Sequence, residues 1–426
     1  MSSVLQRTVL LLSLLVVVAN QLVTARTGKF LHITDIHLDS SYVEGSDPEQ
    51  LCHRGTGNAG PLGAVRTKCD SSPALVKKTF DFIANKYSDV DFVIYTGDSA
   101  RHDRDDDLPR SMENVINEQK EVVGHFNKIF GPKVYPVIGN NDVEPHNSCD
   151  ENDEQFKTIA SIWQPLALNT SNHHYTRGGY FYEDVVPGKI RTVHTNTLLF
   201  YKDNKKAKAD CKSPDGIGSM HLAWLKDVLE ESRQQGYSVY ILAHIPPTSK
   251  KGKAYYTDDC LDGYLSLLGT YKETVVGHFA GHYNNDILSA IVEDDGKYKQ
   301  LSALKKKKTI KRKTVKSSNF ITPLFNTPSV IPTFNPSIRV FTYETEGTKQ
   351  YPVGTILDWH QYYLNMDDNG RDYELEYQAS KLFNVNHFDG KGVEKAFTLM
   401  LDNQSVHKEY LDHVTVNTDD NDQDDD

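Results

Sequence analysis

The stretch DFVIYTGD, residues 91–98, predicts a buried strand that ends in a carboxylate. Its apolar part, residues 92–95, is typical of a strand buried in a sheet. Gly97 then lets the backbone turn sharply, so that the carboxylate of Asp98 projects beyond the edge of the sheet. Because carboxylates at such strand ends are ready ligands for metal ions, we predict that Asp98 binds a metal.

Four other segments also combine a predicted strand with potential metal ligands. They are residues 30–34 before Asp35 and His37, residues 134–138 before Asn140, residues 239–243 before His244, and residues 274–280 before His282 and Asn284. A single Asp-x-His, or one His after a strand, indicates little. In this order, however, the set is what a dinuclear site needs: one shared carboxylate, with the remaining ligands divided between two metals. We therefore predict that five strand ends converge on one site.

The order of these motifs resembles that of the calcineurin-like metallophosphoesterases, from about residue 29 to about residue 345. Within that superfamily, four strings are similar to those of the fungal endopolyphosphatases, relatives of the acid sphingomyelinase branch: KFLHITDIH (29–37), CHRGTGNAG (52–60), TGDSARHD (96–103) and GNNDVEPHN (139–147). The resemblance implies an α/β (α+β sandwich) fold, with two facing mixed β-sheets flanked by helices and a dinuclear metal site at the strand ends. It also implies metal-dependent hydrolysis of internal phosphoanhydride bonds in inorganic polyphosphate.

The resemblance also implies how the metal ligands are shared. One metal would be held by Asp35, His37 and Asp98, with Asn284 nearby, and the second by Asp98, Asn140, His244 and His282. The family usually has His where Asn284 stands, and an amide oxygen there weakens the case for zinc. Two divalent ions are therefore expected, with Mn, Mg, Co and Zn all open. A hydroxide bridging them is expected to attack phosphorus.

Three further residues are candidates for catalysis. His102 closely follows Asp98 and either contacts phosphate or supports the loop. Arg101 has the fork geometry to bind phosphate oxygens, or it pairs with Asp103. Asn141 stands where phosphodiesterase relatives commonly have a His that protonates the leaving group. Because an amide cannot act as that acid, Asn141 favours anhydride substrates, whose leaving group is a stable anion, over esters.

The charge of the chain limits its partners. With 47 basic and 58 acidic residues, the net charge of -11 argues against a protein that coats polyanions generally, and no nucleic-acid partner is expected. One insertion, residues 301–318, departs from this pattern with eight basic residues: Lys305, Lys306, Lys307, Lys308, Lys311, Arg312, Lys313 and Lys316. It is either a solvated insertion, an electrostatic guide for polyphosphate, or a site of proteolytic processing.

The first residues indicate the secretory route. Residues 9–19 form an apolar stretch too short to span a bilayer, so residues 1–25 are interpreted as a signal peptide, with an uncleaved signal anchor as the alternative. The membrane would be a partner only through that anchor. Both interpretations place the catalytic domain in a lumen, either inside the vacuole or on its membrane, with secretion as the alternative. The sequons at Asn169 and Asn403 agree with glycosylation.

Five cysteines suit an oxidising compartment. A Cys52–Cys69 disulfide would close the loop after the first ligand strand, and Cys211–Cys260 is the second expected pair. Cys149 is left over. The connectivity stays open at the level of sequence.

The chain is expected to form one catalytic domain, residues 26–345, followed by an extension, residues 346–426, with an acidic disordered tail. Predicted strands at 328–332, 337–342 and 354–357 would complete the second sheet. Two other functions stay open: an acid sphingomyelinase-like phosphodiesterase or nucleotide pyrophosphatase, and a non-catalytic lumenal protein that binds polyanions.

Overall fold

A computed structural model describes residues 27–304, 312–368 and 370–418. The predicted signal segment, the basic residues 305–311 and the acidic tail after residue 418 lie outside these ranges, as do the side chains of Arg312 and Lys313. No helix in the described part of the chain is both long and apolar enough to cross a bilayer.

The described residues form two β-sheets with helices around them. The strands are β1 (Thr27–Ile33), β2 (Phe92–Tyr95), β3 (Val134–Pro136), β4 (Phe181–Val186), β5 (Ile190–His194), β6 (Ser238–Leu242), β7 (Val275–Ala280), β8 (Ile287–Asp294), β9 (Lys297–Ser302), β10 (Asn319–Asn326), β11 (Ser337–Glu344), β12 (Ile356–Leu364) and β13 (Tyr373–Gln378). The α-helices are α1 (Pro73–Lys86), α2 (Met112–Phe130), α3 (Glu154–Ile162), α4 (His173–Gly178), α5 (Ile217–Gln235), α6 (Asp258–Thr270), α7 (Arg312–Ser317), α8 (Ala379–Phe383), α9 (Gly390–Asp402) and α10 (Gln404–Val414). Short 3₁₀ helices cover Pro48–Gln50, Gly131–Lys133, Gln164–Leu166, Thr197–Leu199 and Met366–Asp368.

Both sheets are mixed, as predicted. The first has the order β13-β12-β11-β1-β2-β3, in which β1, β2 and β3 are parallel to one another. The second has the order β4-β5-β6-β7-β10-β8-β9, with β5, β6, β7 and β10 parallel. Since parallel strands end at the same edge of a sheet, the loops after β1, β2 and β3 emerge together, and so do those after β6 and β7.

The two sheets face each other across an aromatic core. The ring of Phe30 on β1 stacks on Phe92 and Phe341 of its own sheet, at centroid distances of 4.9 and 5.0 Å. From the second sheet, Tyr240 and Phe279 approach it at 5.7 and 5.4 Å. Aromatic contacts of this kind add to the stability that burial alone provides. The alternate residues of β1 and β2 pack on the helices outside the first sheet, so each strand is buried on both faces.

The strands after residue 319 differ from the prediction. Only β10 joins the second sheet, where it lies between β7 and β8. Strand β11 pairs instead with β1, and β12 and β13 extend the first sheet outward from it. Residues 328–332 form no strand. Alternating hydrophobicity shows that a segment is a strand but not which sheet it joins, and that choice depends on pairing between distant parts of the chain.

Residues after 345 pack closely on the catalytic part of the fold. Strand β12 is hydrogen-bonded to β11 along its length. Phe397 on α9 contacts Phe320 on β10 with centroids 5.3 Å apart. The hydroxyl of Tyr410 on α10 accepts the backbone N–H of Leu288 on β8 at 3.0 Å. The division of the chain at residue 345 stays a prediction. In the structure β12, α9 and α10 pack directly against strands that come before residue 345.

Two disulfides, Cys52–Cys69 and Cys211–Cys260, confirm the predicted pairing, and Cys149 is buried with a free thiol. The first bridge closes part of the loop between β1 and α1. The second ties the chain before α5 to α6.

Candidate metal centre

Residues from four of the five predicted strand ends line one cavity of about 280 Å³, and the residue from the fifth lies behind them. Six of the seven predicted ligands line it: Asp35, His37, Asp98, Asn140, His282 and Asn284. The seventh, His244, is fully buried behind them, with Nε2 at 3.3 Å from Oδ2 of Asp98. The remaining wall consists of His102, Asp103, Arg104, Asn141, His146, Asn147, Tyr201, Lys250, Tyr255 and Tyr283.

The loops after β1 and β2 lie side by side and present the first three ligands. The backbone N–H groups of Asp35 and His37 donate to the carbonyls of Gly97 and Asp98, both at 3.0 Å. Ligand atoms of Asp35, His37 and Asp98 all lie within 4.8 Å of one another. Nε2 of His37 is 3.3 Å from Oδ2 of Asp98 and 3.7 Å from Oδ1 of Asp35.

The glycines of the GD and GN motifs permit this crowding. A Cβ on Gly97 would lie 2.6 Å from the backbone nitrogen of Gly139, and one on Gly139 would lie 2.8 Å from Cγ of Asp98. Gly97 also has φ of +89°, a conformation that favours glycine. Both glycines therefore serve to bring two ligand loops into contact.

Five predicted ligands have backbone conformations that non-glycine residues rarely adopt. The φ angles of Asp35, His37, Asp98, His282 and Asn284 are 48°, 44°, 62°, 73° and 59°. Such conformations cost on the order of 1–3 kcal/mol each and cluster at functional sites, where the surrounding structure enforces them. Here they turn five side chains towards one point.

The imidazole rings of His37 and His244 are oriented by backbone carbonyls. Nδ1 of His37 donates to the carbonyl of Ala100 at 3.0 Å, and Nδ1 of His244 donates to that of Thr96 at 2.7 Å. In the neutral rings Nε2 is then an acceptor that faces the cavity, which is the form that binds metals.

The donor set fits divalent cations. Nε2 of His244 lies 2.7 Å from Oδ1 of Asn140, and Nδ1 of His282 lies 3.0 Å from the same oxygen. Each ring nitrogen donates to that oxygen when it carries a proton, and a cation that took the place of the proton would bind both atoms. In addition, the buried Oδ1 of Asn284 has no hydrogen-bond partner in the described part of the protein.

Electrostatics point the same way. Burial opposes the charged forms of Asp35 and Asp98, but the neighbouring His37 and His244 hold the pKa of each carboxyl below its usual value. Burial likewise disfavours charge on His244, yet Asp98 and Asp35 raise its pKa to about 9. Two ionised carboxylates buried at one point favour a bound cation.

Asn141 and Asp142 hold the bridging loop in place. Asn141 donates its backbone N–H to Oδ1 of Asp98 at 2.7 Å and its side-chain amide to Oδ2 at 2.8 Å. Asp142 accepts three backbone N–H groups, from Asp98 (2.9 Å), Ser99 (2.8 Å) and Gly139 (2.8 Å). The sequence analysis missed Asp142, although its position next to the GNN motif was a usable signal.

Of the other candidates for catalysis, His102 lines the cavity and Arg101 does not. The ring of His102 stacks on His37 with centroids 4.0 Å apart, and its Nδ1 bonds the Asp70 carboxylate at 2.7 Å. Burial, opposed in part by Asp70, lowers the pKa of His102 to about 4.

Arg101 lies away from the cavity wall. It is 2% exposed, and its guanidinium donates to the carbonyls of His102 (3.2 Å) and Leu108 (2.9 Å). Its nearest carboxylate is Asp39 at 3.9 Å and not Asp103. The expected contact between Arg101 and phosphate therefore has no support in this geometry, whereas Arg104 does line the cavity.

The predicted modification and guide residues lie on the surface or outside the described residues. Asn169 and Asn403 are exposed, and Oδ1 of Asn403 caps α10. Of the eight basic residues in the 305–316 segment, only the side chain of Lys316 is described, and it is exposed.

Comparison with known proteins relates the chain to one family. Residues 28–283 match the Calcineurin-like phosphoesterase family. The chain is 35% identical over 289 residues to an endopolyphosphatase of Neurospora crassa, a match that covers 65% of this chain and 39% of the relative. It is 34% identical over 277 residues to an endopolyphosphatase of Schizosaccharomyces pombe, covering 60% of this chain and 47% of the relative. A third, from Cryptococcus neoformans, is 28% identical and covers 82% and 62%. The chain thus spans about half the length of the curated relatives it matches.

Proposed function

Because this chain belongs to the calcineurin-like phosphoesterases, we propose that it is a hydrolase that cleaves internal phosphoanhydride bonds of inorganic polyphosphate. The observation that carries the proposal is the convergence of Asp98 and Asn140 on one cavity, with His244 buried behind them and its Nε2 only 2.7 Å from Oδ1 of Asn140. The relatives named endopolyphosphatase support the choice of substrate.

The family implies a dinuclear centre of divalent ions, and the ligand assignment is part of the proposal. Asp35, His37 and Asp98, with Asn284 beside them, would hold one ion. Asp98, Asn140, His244 and His282 would hold the other. The oxygen of Asn284 suits Mg²⁺, Mn²⁺ or Co²⁺ better than an imidazole would. When bound, divalent ions in such a site lower the pKa of water and stabilise charge on phosphoryl oxygens.

The chain's own residues position the reaction. Asn141 and Asp142 make five hydrogen bonds to the two ligand loops. Three of these bonds are to Asp98 itself. Arg104 and Lys250 add positive charge to the wall, where they would bind phosphate oxygens. The phosphate leaves as an anion whose conjugate acid has a pKa of roughly 6 or below, so cleavage of an anhydride needs no strong proton donor.

A gel assay tests the proposal directly. The purified protein is incubated with long-chain polyphosphate and each divalent cation in turn, and the Asp98→Asn variant is the control. Internal cleavage shifts the whole length distribution to shorter chains. Release of single phosphates alone would exclude the endo assignment, and faster hydrolysis of sphingomyelin would favour a phosphodiesterase instead.

We also propose that the protein functions in the lumen of the vacuole or on its membrane, with residues 1–25 as signal peptide or anchor. The two disulfides support an oxidising compartment. Exposed Asn169 and Asn403 would carry glycans. A loss of mass when the purified protein is treated with glycosidase would support this.

A further inference from the structure

We propose that two lysine-rich loops beside the cavity, residues 202–208 and 250–253, hold the part of a long polyphosphate chain that extends beyond the reacting phosphate. We call these two loops the lysine rim. This inference rests on the proposed function and extends it to how the substrate is bound.

The lysine rim lies at the cavity entrance. Tyr201 and Tyr255, which line the cavity, flank the two loops. The backbone N–H of Lys202 donates to the carbonyl of Tyr255 at 3.0 Å, and Tyr201 forms an antiparallel β-bridge with Tyr256. The two loops are therefore joined side by side where substrate must enter.

The rim also contacts residues of the metal-ligand loops. The backbone N–H of Lys205 donates to the carbonyl of Asn147 at 3.0 Å, and its Nζ donates to Nε2 of His146 at 2.9 Å. Both partners line the cavity. On the other loop, Nζ of Lys250 donates to Oδ1 of Asn285, the residue after Asn284, at 3.1 Å. Positive charge thus continues from the outer surface to the cavity wall.

Much of this charge has no carboxylate partner. Four side chains of the rim are exposed: Lys202, Lys205, Lys208 and Lys253. Among the described residues, none of the four forms an ion pair with a carboxylate. Lys206 differs, because it pairs with Asp153 at 2.7 Å. Residues 202–208 hold four lysines against one carboxylate, Asp203, so in a protein with a net charge of -11 the lysines without a carboxylate partner form a local attractive field for polyanions at the cavity.

The chemistry of the rim favours polyphosphate over nucleic acid. The two loops themselves, residues 202–208 and 250–253, contain no aromatic side chain on which bases could stack, and the flanking Tyr201 and Tyr255 line the cavity instead. Polyphosphate needs only closely spaced cations, because it carries charge on every unit and has no bases. A surface that binds any internal segment of such a chain would present internal bonds to the metal centre.

The rim is built to keep its shape. The Cys211–Cys260 disulfide fixes the chain just beyond the first loop to α6. Nζ of Lys202 donates to the carbonyl of Ala254 at 2.6 Å, which links the loops a second time. Preorganised cations lose less freedom on binding than mobile ones do.

The test replaces Lys205, Lys208 and Lys253 with Ser together. The matched control replaces Lys120, Lys128 and Lys226, which are exposed on helices α2 and α5 away from the cavity. Binding of fluorescently labelled long-chain polyphosphate is measured in the Asp98→Asn background, and KM for long chains and for tripolyphosphate is measured without that change. Single-stranded DNA of equal charge serves as competitor.

We expect the rim variant to raise the Kd for long chains roughly 3- to 100-fold at low salt, since each exposed ion pair contributes on the order of 0.2–1 kcal/mol. KM should rise more for long chains than for tripolyphosphate, and added salt should reduce the difference. Equal effects of the rim and control variants, or equal effects on both substrates, would overturn the inference, as would tighter binding of DNA. If the unmodified protein binds but does not hydrolyse polyphosphate, and the rim variant loses that binding, the proposed function is overturned. The rim would then still be a polyphosphate-binding surface.

Discussion

The carboxylate of Asp142 accepts the backbone N–H of Asp98 at 2.9 Å, so one buried acid holds the turn that presents another. The same side chain accepts the N–H of Gly139 at 2.8 Å, and so joins the GD loop to the GN loop. The two motifs are far apart in sequence, and Asp142 sets the distance between their ligands.

Asp142→Asn should therefore lower metal affinity and turnover by about 10- to 100-fold, because the two carboxylate oxygens accept three N–H groups and the amide nitrogen that replaces one oxygen cannot accept any. Titration with Mn²⁺, followed by activity at saturating metal, measures both effects. Asp89→Asn, an exposed change near β2, is the control. Unchanged metal affinity would show that Asp142 does not position the centre.

Asp98→Asn or Asn140→Ala should abolish measurable hydrolysis while the protein still folds. Each change removes a donor from the metal centre, but neither residue belongs to the aromatic core between the sheets. Circular dichroism and thermal unfolding check the fold, and the polyphosphate gel checks activity. Near-normal turnover of either variant at saturating metal would contradict the dinuclear assignment.

Asn141→His should improve hydrolysis of alkyl phosphodiesters more than hydrolysis of polyphosphate. A positioned general acid contributes about 10²- to 10⁴-fold, and an alkoxide leaving group needs it where a phosphate leaving group does not. The ratio of kcat/KM values for the two substrates is the measurement. The substitution also removes the hydrogen bond that the Asn141 side-chain amide donates to Asp98, so the ratio of the two values is informative and either value alone is not.

His102 and His146, which both line the cavity, are the rival proton donors. If either acts, esters should already be good substrates of the unmodified protein, and His102→Ala or His146→Ala should harm ester turnover most. Comparable kcat/KM for sphingomyelin and polyphosphate in the unmodified protein would reject the role given to Asn141.

The carboxyl group of Glu118 should lower the free energy of unfolding as the pH rises. Burial, with a smaller effect from Asp39, raises its pKa from 4.5 to about 7 despite the backbone N–H groups of Arg101 and Ser40 and the charge of Arg101. A carboxyl whose pKa is raised in the folded state contributes full stability below its unfolded pKa and loses it as pH passes through the folded value. Between pH 5 and 8 the free energy of unfolding of the wild type should fall, relative to that of Glu118→Gln, by on the order of 2 kcal/mol.

Urea unfolding at several pH values measures this difference. Glu121→Gln, on the exposed face of the same helix, is the control. Parallel curves for Glu118→Gln and wild type would show that Glu118 ionises normally in the folded protein.

Replacing the eight basic residues of 305–316 with Ser should weaken use of long polyphosphate at low salt more than use of tripolyphosphate. A charged guide gains more from a long polyanion, and salt screens it. Combining this change with the lysine-rim variant shows whether the two basic regions act on one substrate path. No effect of the segment on either substrate would leave it as a plain insertion.

The sequence and its resemblance to a known family predicted the sandwich class and the group of side chains that meets at the cavity, while the disulfide connectivity stayed open. These features depend on local patterns: an apolar segment predicts a buried strand, and a glycine next to a carboxylate predicts a sharp turn at its end. Since parallel strands end at one edge, the motifs after β1 and β2 were expected to bring Asp35 and Asp98 together, whereas the approach of His244, after β6 of the second sheet, depends on how the two sheets face each other.

Only the tertiary structure decided which sheet β11 joins, and that Arg101 is buried while its near neighbour Arg104 reaches the cavity. It alone placed Lys205 against His146, 59 positions away in the chain. A pattern along the chain shows which residues share a face of an element. Which distant face or loop meets that one depends on packing and hydrogen bonds between segments far apart in sequence, which no local pattern contains.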